Sequence, residues 1–380
     1  MKERDFCKYL RRTPRIPKPP PELAAFPEAV VIPAYDEEEE LPATLASLAA
    51  AGDGDVAVIV VVNYPAGTDP ESSRRLFERL SNEPLYENRR LFPVYAPELT
   101  GGVGEARRLG MDMFIASRTP ESVEQGIIFS LDADSRVAPD YFRRVRAVLA
   151  ATPAAPGVLI AVSHRAAPSP AQEAAIRRYE RYLQRYADSL HRAGSPYDFI
   201  AIGSGFAVRA AACIRAGGMK RRRAGEDFYF LQELAKLGTL ARISDPLVFP
   251  SPRSSARVPF GTGPAVSALL AGEELPEISD HAFAMLGRVI AAATAPEGLA
   301  GEAKNFRSSL DRVAVDFFER ERFFQLWPEI AANQPDTREA KLRAFHRWFD
   351  GLKTLRFLHA VDAVGNSGSG VPSSRETPLK

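Results

Sequence analysis

Three apolar runs, Ala29–Ile32, Val56–Val62 and Ile127–Phe129, carry no polar alternation. A strand covered on both faces needs such a run, whereas a strand with one wet face alternates. Leu91–Tyr95 reads as a further strand, and 157–163 (GVLIAVS) as the fifth. Between these runs lie segments with helical spacing: Glu37–Ala51, with Leu41, Leu45 and Leu48 on one face, then Pro70–Leu80, then Glu105–Arg118. Strand and helix in alternation predict an α/β fold whose mostly parallel, Rossmann-like sheet is flanked by helices. Sheets of this kind take ligands at the carboxyl ends of their strands.

Polar clusters stand at those ends. The first strand runs into Pro33-Ala34-Tyr35-Asp36-Glu37, the second into Asn63, and the fourth into Asp132-Ala133-Asp134. Gly101, Gly102 and Gly104 form a flexible turn before the third helix. Strand alternation would aim Asp132 and Asp134 the same way. Two carboxylates beside an apolar strand are costly without compensation, and a divalent cation bridging them to a diphosphate would supply it. A strand end followed by a turn, with Pro139 opening a helix, accounts for the tripeptide equally well. The convergence of the clusters on one sheet edge favours the cation. The glycine spacing fits neither a dinucleotide fingerprint nor a P-loop.

Farther on, 169–193 reads as a long helix, its Tyr179, Tyr182, Tyr186 and Leu190 stripe taken as packing. Residues 199–208 are apolar around Gly203-Ser204-Gly205, where glycine suggests a close backbone approach or a bulge. Lys220-Arg221-Arg222-Arg223 then precedes Glu226-Asp227, which opens an amphipathic helix. Acids suit a first helical turn, and a basic tetrad suits a solvated loop. The pair also suits an anion-binding loop beside a proton acceptor. Arg253 and Arg257 lie in a loop over 251–263, either an ordinary surface loop or one that closes over a diphosphate. Helical spacing over 283–293, 304–326 and 337–361 predicts a C-terminal helical subdomain.

The expected organisation is an arm over 1–27, a catalytic domain over 28–250, a loop and helical subdomain over 251–363, and a disordered tail over 364–380. The arm is basic and proline-rich: Lys8, Arg11, Arg12, Arg15 and Lys18 could touch an anionic surface, but the favoured reading is a solvated arm lying over the domain. A net charge of +1 gives no field for nucleic acid. Two cysteines, Cys7 and Cys213, make neither a disulfide framework nor a thiolate cluster. No apolar run has the length of a membrane span, and no apolar segment follows the N-terminal charges. The expected location is cytoplasmic, with peripheral membrane contact left open.

In order along the chain, VVIPAYDEEEEL, GVGEARRLGMD, LDADS and GSGFAVRAAACIRAGGM…GEDFYFLQELAKLG resemble the motifs of family 2 glycosyltransferases, enzymes of the GT-A fold that use nucleotide sugars. The resemblance covers roughly 28–250. It implies that Pro33, Ala34, Tyr35, Glu37, Asn63, Arg107, Asp132 and Ala133 line the nucleotide. Asp132 and Asp134 would hold Mg²⁺ or Mn²⁺ against the diphosphate of a nucleotide-sugar donor. Asp227 would be the general base on an acceptor hydroxyl, with Glu226, Gly203, Ser204, Arg221 and Arg222 on the acceptor side. The acceptor is unidentified, and the basic loop suits an anionic one. Asn63 stands where the family has a base-reading Asp, so the base stays open, and Asp36 stands where Asn is usual. No Q-x-x-R-W follows the Glu-Asp helix, so single transfers are expected rather than polymerisation. A retaining transferase, a sugar nucleotidyltransferase and a binding protein that lost activity are the alternatives.

Overall fold

A helix over residues the sequence marks as an arm is the first departure. The computed structural model describes residues 1–13, 16–52, 55–82, 90–222, 224–253, 261–295, 298–299 and 303–367. Within it α1 (Glu3–Arg11) buries Phe6 and Tyr9. The Tyr9 hydroxyl donates to Asp112, which also receives Arg108 Nε at 3.1 Å. An aromatic pair at helical spacing thus docks a segment expected to lie over the domain as a solvated arm. Arg15, one of its basic residues, lies outside the described residues.

The chain divides into two compact units, one of residues 1–176 with 201–266, the other of 177–200 with 267–380. In the first unit β1 (Glu28–Ala34), β2 (Val56–Pro65), β3 (Leu91–Leu99) and β4 (Ile127–Ser130) form the parallel half of an eight-stranded sheet among the described residues. The other strands are β5 (Arg136–Val137), β6 (Gly157–Val162), β7 (Phe206–Arg209) and β8 (Ala241–Phe249), and the spatial order is β3-β2-β1-β4-β7-β6-β8-β5. β7 enters antiparallel to both β4 and β6, β8 runs parallel to β6, and β5 pairs antiparallel with β8. The sheet is thus mixed α/β. Its four-stranded parallel block, β3-β2-β1-β4, is the part that carries the polar strand ends.

Helices α2 (Leu41–Ala50), α3 (Glu71–Asn82), α4 (Gly102–Ala116) and α5 (Tyr141–Ala151) connect these strands. Leu41, Leu45 and Leu48 of α2 are buried against Val30, Ile32, Val58 and Val60 in one core. β1 and β2 are apolar at nearly every position because both faces are covered. After β6 come α6 (Pro170–Arg192), α7 (Ala210–Arg215) and α8 (Glu226–Ala235). Cys213, on α7, is buried, and burial pushes its thiol up to about 12, so it is no nucleophile.

The second unit is helical. α9 (Thr262–Leu270) begins in the first unit, and α10 (Asp280–Thr294) opens on Ser279, whose hydroxyl caps Ala282 N at 3.1 Å. The single helix expected over 304–326 is three: α11 (Ala303–Ser308), α12 (Arg312–Arg320) and α13 (Phe323–Ala332). Arg322, in the left-handed region at φ 59°, makes one of the breaks. The pattern over 337–361 likewise divides into α14 (Arg338–Trp348) and α15 (Gly351–Ser367). Phe306, Phe317, Phe318, Phe323, Phe345, Phe349 and Phe357 are buried together as this unit's core. Edge-on and tilted ring contacts join them, which adds to simple area burial. The tail from 368 lies outside the described residues. Among those described, no helix is long and apolar enough to cross a membrane.

Burial also pushes His346, on α14, down to about 4 from 6.5. A histidine held neutral when folded takes its proton more readily unfolded, so its share of stability is present above pH 6.5 and is lost as pH falls toward 4. Melting curves at pH 7.5 and 5.0 should show the wild type losing more than His346→Gln. Equal losses would assign the acid sensitivity to other groups.

Candidate active site at the carboxyl end of the parallel strands

β4 stops at Ser130, and Asp132-Ala133-Asp134 follows as a turn in which Ser135 N donates to Asp132 O at 3.1 Å. The alternation expected of a strand therefore does not apply, and the two acids face different partners. The turn is held from several sides. Thr44 Oγ1 donates to Ala133 O at 2.7 Å, and Ser251 N to Asp134 O at 3.0 Å.

Asp132 is joined to Arg107, and the same guanidinium is joined to Glu226. Arg107 sits in the second turn of α4. That helix begins at Gly102, so the glycines expected as a flexible turn form its first turn, with Gly101 N donating to Glu105 Oε2 at 2.8 Å. Glu226 and Asp227 open α8 after Gly225, which adopts φ 71°. Burial raises the Asp227 carboxyl above its ordinary value, with Arg107 opposing and Asp132 adding to the rise. Glu226 is raised in the same way, first by burial and against the pull of Arg107.

Asp134 receives Arg253 Nε at 3.1 Å, and Arg253 also reaches Glu37. Even so, burial and the carboxylates of Asp132, Glu37 and Glu40 push Asp134 up to about 6. Three further residues in this network, Arg165, Glu40 and Ser251, escape sequence reasoning. Arg165 donates to Glu40 at 2.8 Å and to Asp134 O at 3.3 Å, and Ser251 Oγ donates to Glu40 at 3.1 Å. Arg165 and Glu40 lie 125 positions apart, and neither carries a local signal that would join them.

The other expected residues are spread around this network. Pro33 and Ala34 end β1, and Tyr35 and Asp36 follow, Asp36 with φ 56°. α2 begins at Leu41, leaving Glu37–Glu40 ahead of it as a turn, with Glu37 buried. Asn63 is buried, its Nδ2 donating to Ala34 O at 3.2 Å and Val61 O at 3.1 Å. It thereby ties the ends of β1 and β2 together, a task for an amide N–H that a carboxylate lacks. Gly203 receives Ser130 Oγ on its carbonyl at 2.6 Å, and a Cβ there would run into the Arg107 guanidinium. The Ser204 hydroxyl is buried and has no partner among the described residues. Arg221 stands 3.9 Å from Glu105, and Arg222 lies 3.8 Å over the Tyr229 ring. Arg223 and Arg257 lie outside the described residues.

Gly104 shows why α4 and the 220–222 segment approach so closely. Its N–H donates to Arg222 O at 3.2 Å. A Cβ would stand 2.7 Å from the carbonyls of Lys220 and Arg222 and 2.8 Å from Glu226 Cβ. Gly104→Ala should therefore displace the segment, costing about 1–3 kcal/mol in a denaturant titration. An unchanged midpoint would show that the segment yields freely.

Beside this site a cavity of ≈ 260 Å³ lies between Ile16 and Pro17 of the N-terminal segment, Pro97 and Leu99 of β3, and Arg108 and Asp112 of α4. Glu105 and Arg221 also line it.

The acids suit a divalent cation by their chemistry: hard oxygen donors, crowded enough to raise Asp134 despite its arginine. Among the described residues no group of three or more His, Cys, Asp or Glu is arranged to hold a metal.

Residues 29–213 match the family model for glycosyl transferase family 2. Among solved structures, S. aureus TarS 1-349 in complex with UDP-GlcNAc is similar at 14% identity and a TM-score of 0.46, over 89% of this chain and 92% of that one. The mannosyltransferase PcManGT from Pyrobaculum calidifontis, in complex with GDP-Man and Mn2+, is 18% identical with a TM-score of 0.42, over 97% and 84%. M. tuberculosis glucosyl-3-phosphoglycerate synthase is 16% identical with a TM-score of 0.37, over 66% and 82%. No curated protein matches.

Proposed function

From the match of residues 29–213 to glycosyl transferase family 2, we propose that the chain is a member of that family and moves a sugar from a nucleotide-diphosphate sugar to an acceptor hydroxyl, with inversion and one sugar at a time. The observation that carries this reading is the Arg107 bridge, which joins Asp132 beyond β4 to Glu226 at the head of α8. Donor-side and acceptor-side acids thereby meet at the carboxyl edge of the parallel strands.

In this reading Pro33, Ala34, Tyr35 and Glu37 line the nucleoside. Asp132 and Asp134 are the residues that would hold Mg²⁺ or Mn²⁺, a hard cation suited to carboxylates. When bound, the cation neutralises the charge of the departing diphosphate. Asp227 Oδ takes the proton of the acceptor hydroxyl as that oxygen attacks the anomeric carbon. Its raised pKa makes it a stronger base than an ordinary carboxylate. Glu226, fixed by Arg107, orients the acceptor, and Lys220, Arg221 and Arg222 offer charge to an anionic one. Arg253 lies where it can exchange Asp134 for a phosphate oxygen. Attack from the face opposite the diphosphate inverts the centre.

A thermal-shift series with UDP, GDP, ADP and CDP, each with and without Mn²⁺, tests the donor class. A ligand that prefers the folded state raises the melting temperature. One nucleoside diphosphate should do so in a cation-dependent way. No shift with any of them would remove the nucleotide reading.

A further inference from the structure

Each acid of the Asp132/Asp134 pair already faces an arginine. Arg107 is joined to Asp132, and its side chain is only 4% exposed. The absence of a Cβ at Gly203 makes its room. Its other amino group is committed to Glu226, so it is held in the site from two sides. Arg253 meets Asp134 through two nitrogens at 3.1 Å and reaches Glu37 as well, with a side chain 31% exposed. A divalent cation arriving alone on these oxygens must push aside, or sit beside, one or both guanidinium groups. Like charges a few ångströms apart in a partly dry site repel strongly.

We propose that Arg107 and Arg253 are internal counter-cations of the two acids, so that the chain takes up a divalent cation only together with a diphosphate. The diphosphate brings negative oxygens that receive displaced guanidinium groups, for which a planar fork is well shaped. This rests on the reading of Asp132 and Asp134 as cation ligands. The two uptake events are then coupled, and coupling is reciprocal: the cation tightens diphosphate binding by the factor by which the diphosphate tightens the cation. Arg253 is the arginine freer to leave, since it is partly exposed and its second partner, Glu37, lies beside the first. Arg107 acts from a fixed position, and its departure would leave Glu226 buried without its partner.

The test is calorimetry of Mn²⁺ binding to the full chain, alone and with UDP, GDP or ADP, in the wild type, Arg253→Gln, Arg107→Gln and Asp134→Asn. A neighbouring charge moves the proton affinity of a carboxylate by one to three powers of ten, and cation affinity should respond alike. Arg253→Gln should therefore bind Mn²⁺ alone about 10-fold or more tightly than the wild type, with a smaller further gain from the diphosphate. Arg107→Gln should do the same where it folds, and Arg253→Gln carries the test if it does not. Equal Mn²⁺ affinity in the wild type and Arg253→Gln overturns the counter-cation role while leaving the acids as ligands. Equal Mn²⁺ affinity of Asp134→Asn and the wild type with the diphosphate present overturns the ligand reading itself, and the counter-cation role with it.

Discussion

Asp227→Asn is expected to keep nucleoside-diphosphate binding and to lose sugar transfer by about 10²-fold or more, the scale of removing a general base. Asn keeps the shape and the oxygen that accepts Phe228 N at 2.7 Å, but it cannot take a proton. If Asp227 served only to complement the start of α8, the change would cost about 1 kcal/mol of stability or less and leave transfer near normal. The two accounts therefore differ in which quantity moves. Glu226→Gln is the internal control. Its amide oxygen can still meet Arg107, so the loss should fall mainly on acceptor KM. Transfer and nucleotide binding measured in both variants separate the roles. Near-normal turnover by Asp227→Asn would remove it as the base and favour a retaining mechanism.

Asp134→Asn is expected to abolish the Mn²⁺-dependent part of nucleoside-diphosphate binding. Changing an outer-shell partner of a metal site costs about 10- to 100-fold, so removing a ligand charge should cost at least as much. The melting temperature should stay level or rise. Burial and the crowd of carboxylates already make the Asp134 charge unwelcome in the folded chain, and Arg253 keeps Glu37 as a partner. A variant that binds less yet melts no lower is the signature of a charge kept for its ligand. Undiminished, Mn²⁺-dependent binding by Asp134→Asn would take this acid out of the cation site.

How much of this was legible in the chain depends on the range of the interaction. β1, β2 and β4 are readable because a doubly covered strand leaves an apolar run in sequence, and β3, at the sheet edge, because its buried residues alternate. β5 has two residues, too few for any period, and β8 (ARISDPLVF) holds polar residues and a proline that blur its pattern. The apolar stretch around 199–208 was visible, but nothing local says that β7 enters antiparallel between β4 and β6. In the site, the short polar clusters marked Glu37, Asp132, Asp134, Glu226 and Asp227 as candidates, and the structure brings all five into one charge network. Arg107 was marked only through a resemblance, and its bridge spans 119 positions to Glu226. Arg165 and Glu40 were not marked, since an ion pair is fixed by the fold and leaves no spacing behind. Asn63 is a nucleotide candidate from the resemblance, and the two backbone carbonyls that its Nδ2 meets leave no trace in the sequence. The grouping of 177–200 with the C-terminal helices is of the same long-range kind.

Under the proposed function, the bond between a sugar and a nucleoside diphosphate is broken with a cation held by Asp132 and Asp134. The most direct test is release of nucleoside diphosphate from UDP-, GDP- and ADP-sugars by the full chain with Mn²⁺. The same reactions are followed with a chelator and with Asp134→Asn. The expected result is release from one nucleotide class, abolished by the chelator and by the substitution. A folded protein that releases nothing from any of these donors, or whose release is indifferent to chelator and to Asp134→Asn, would contradict it.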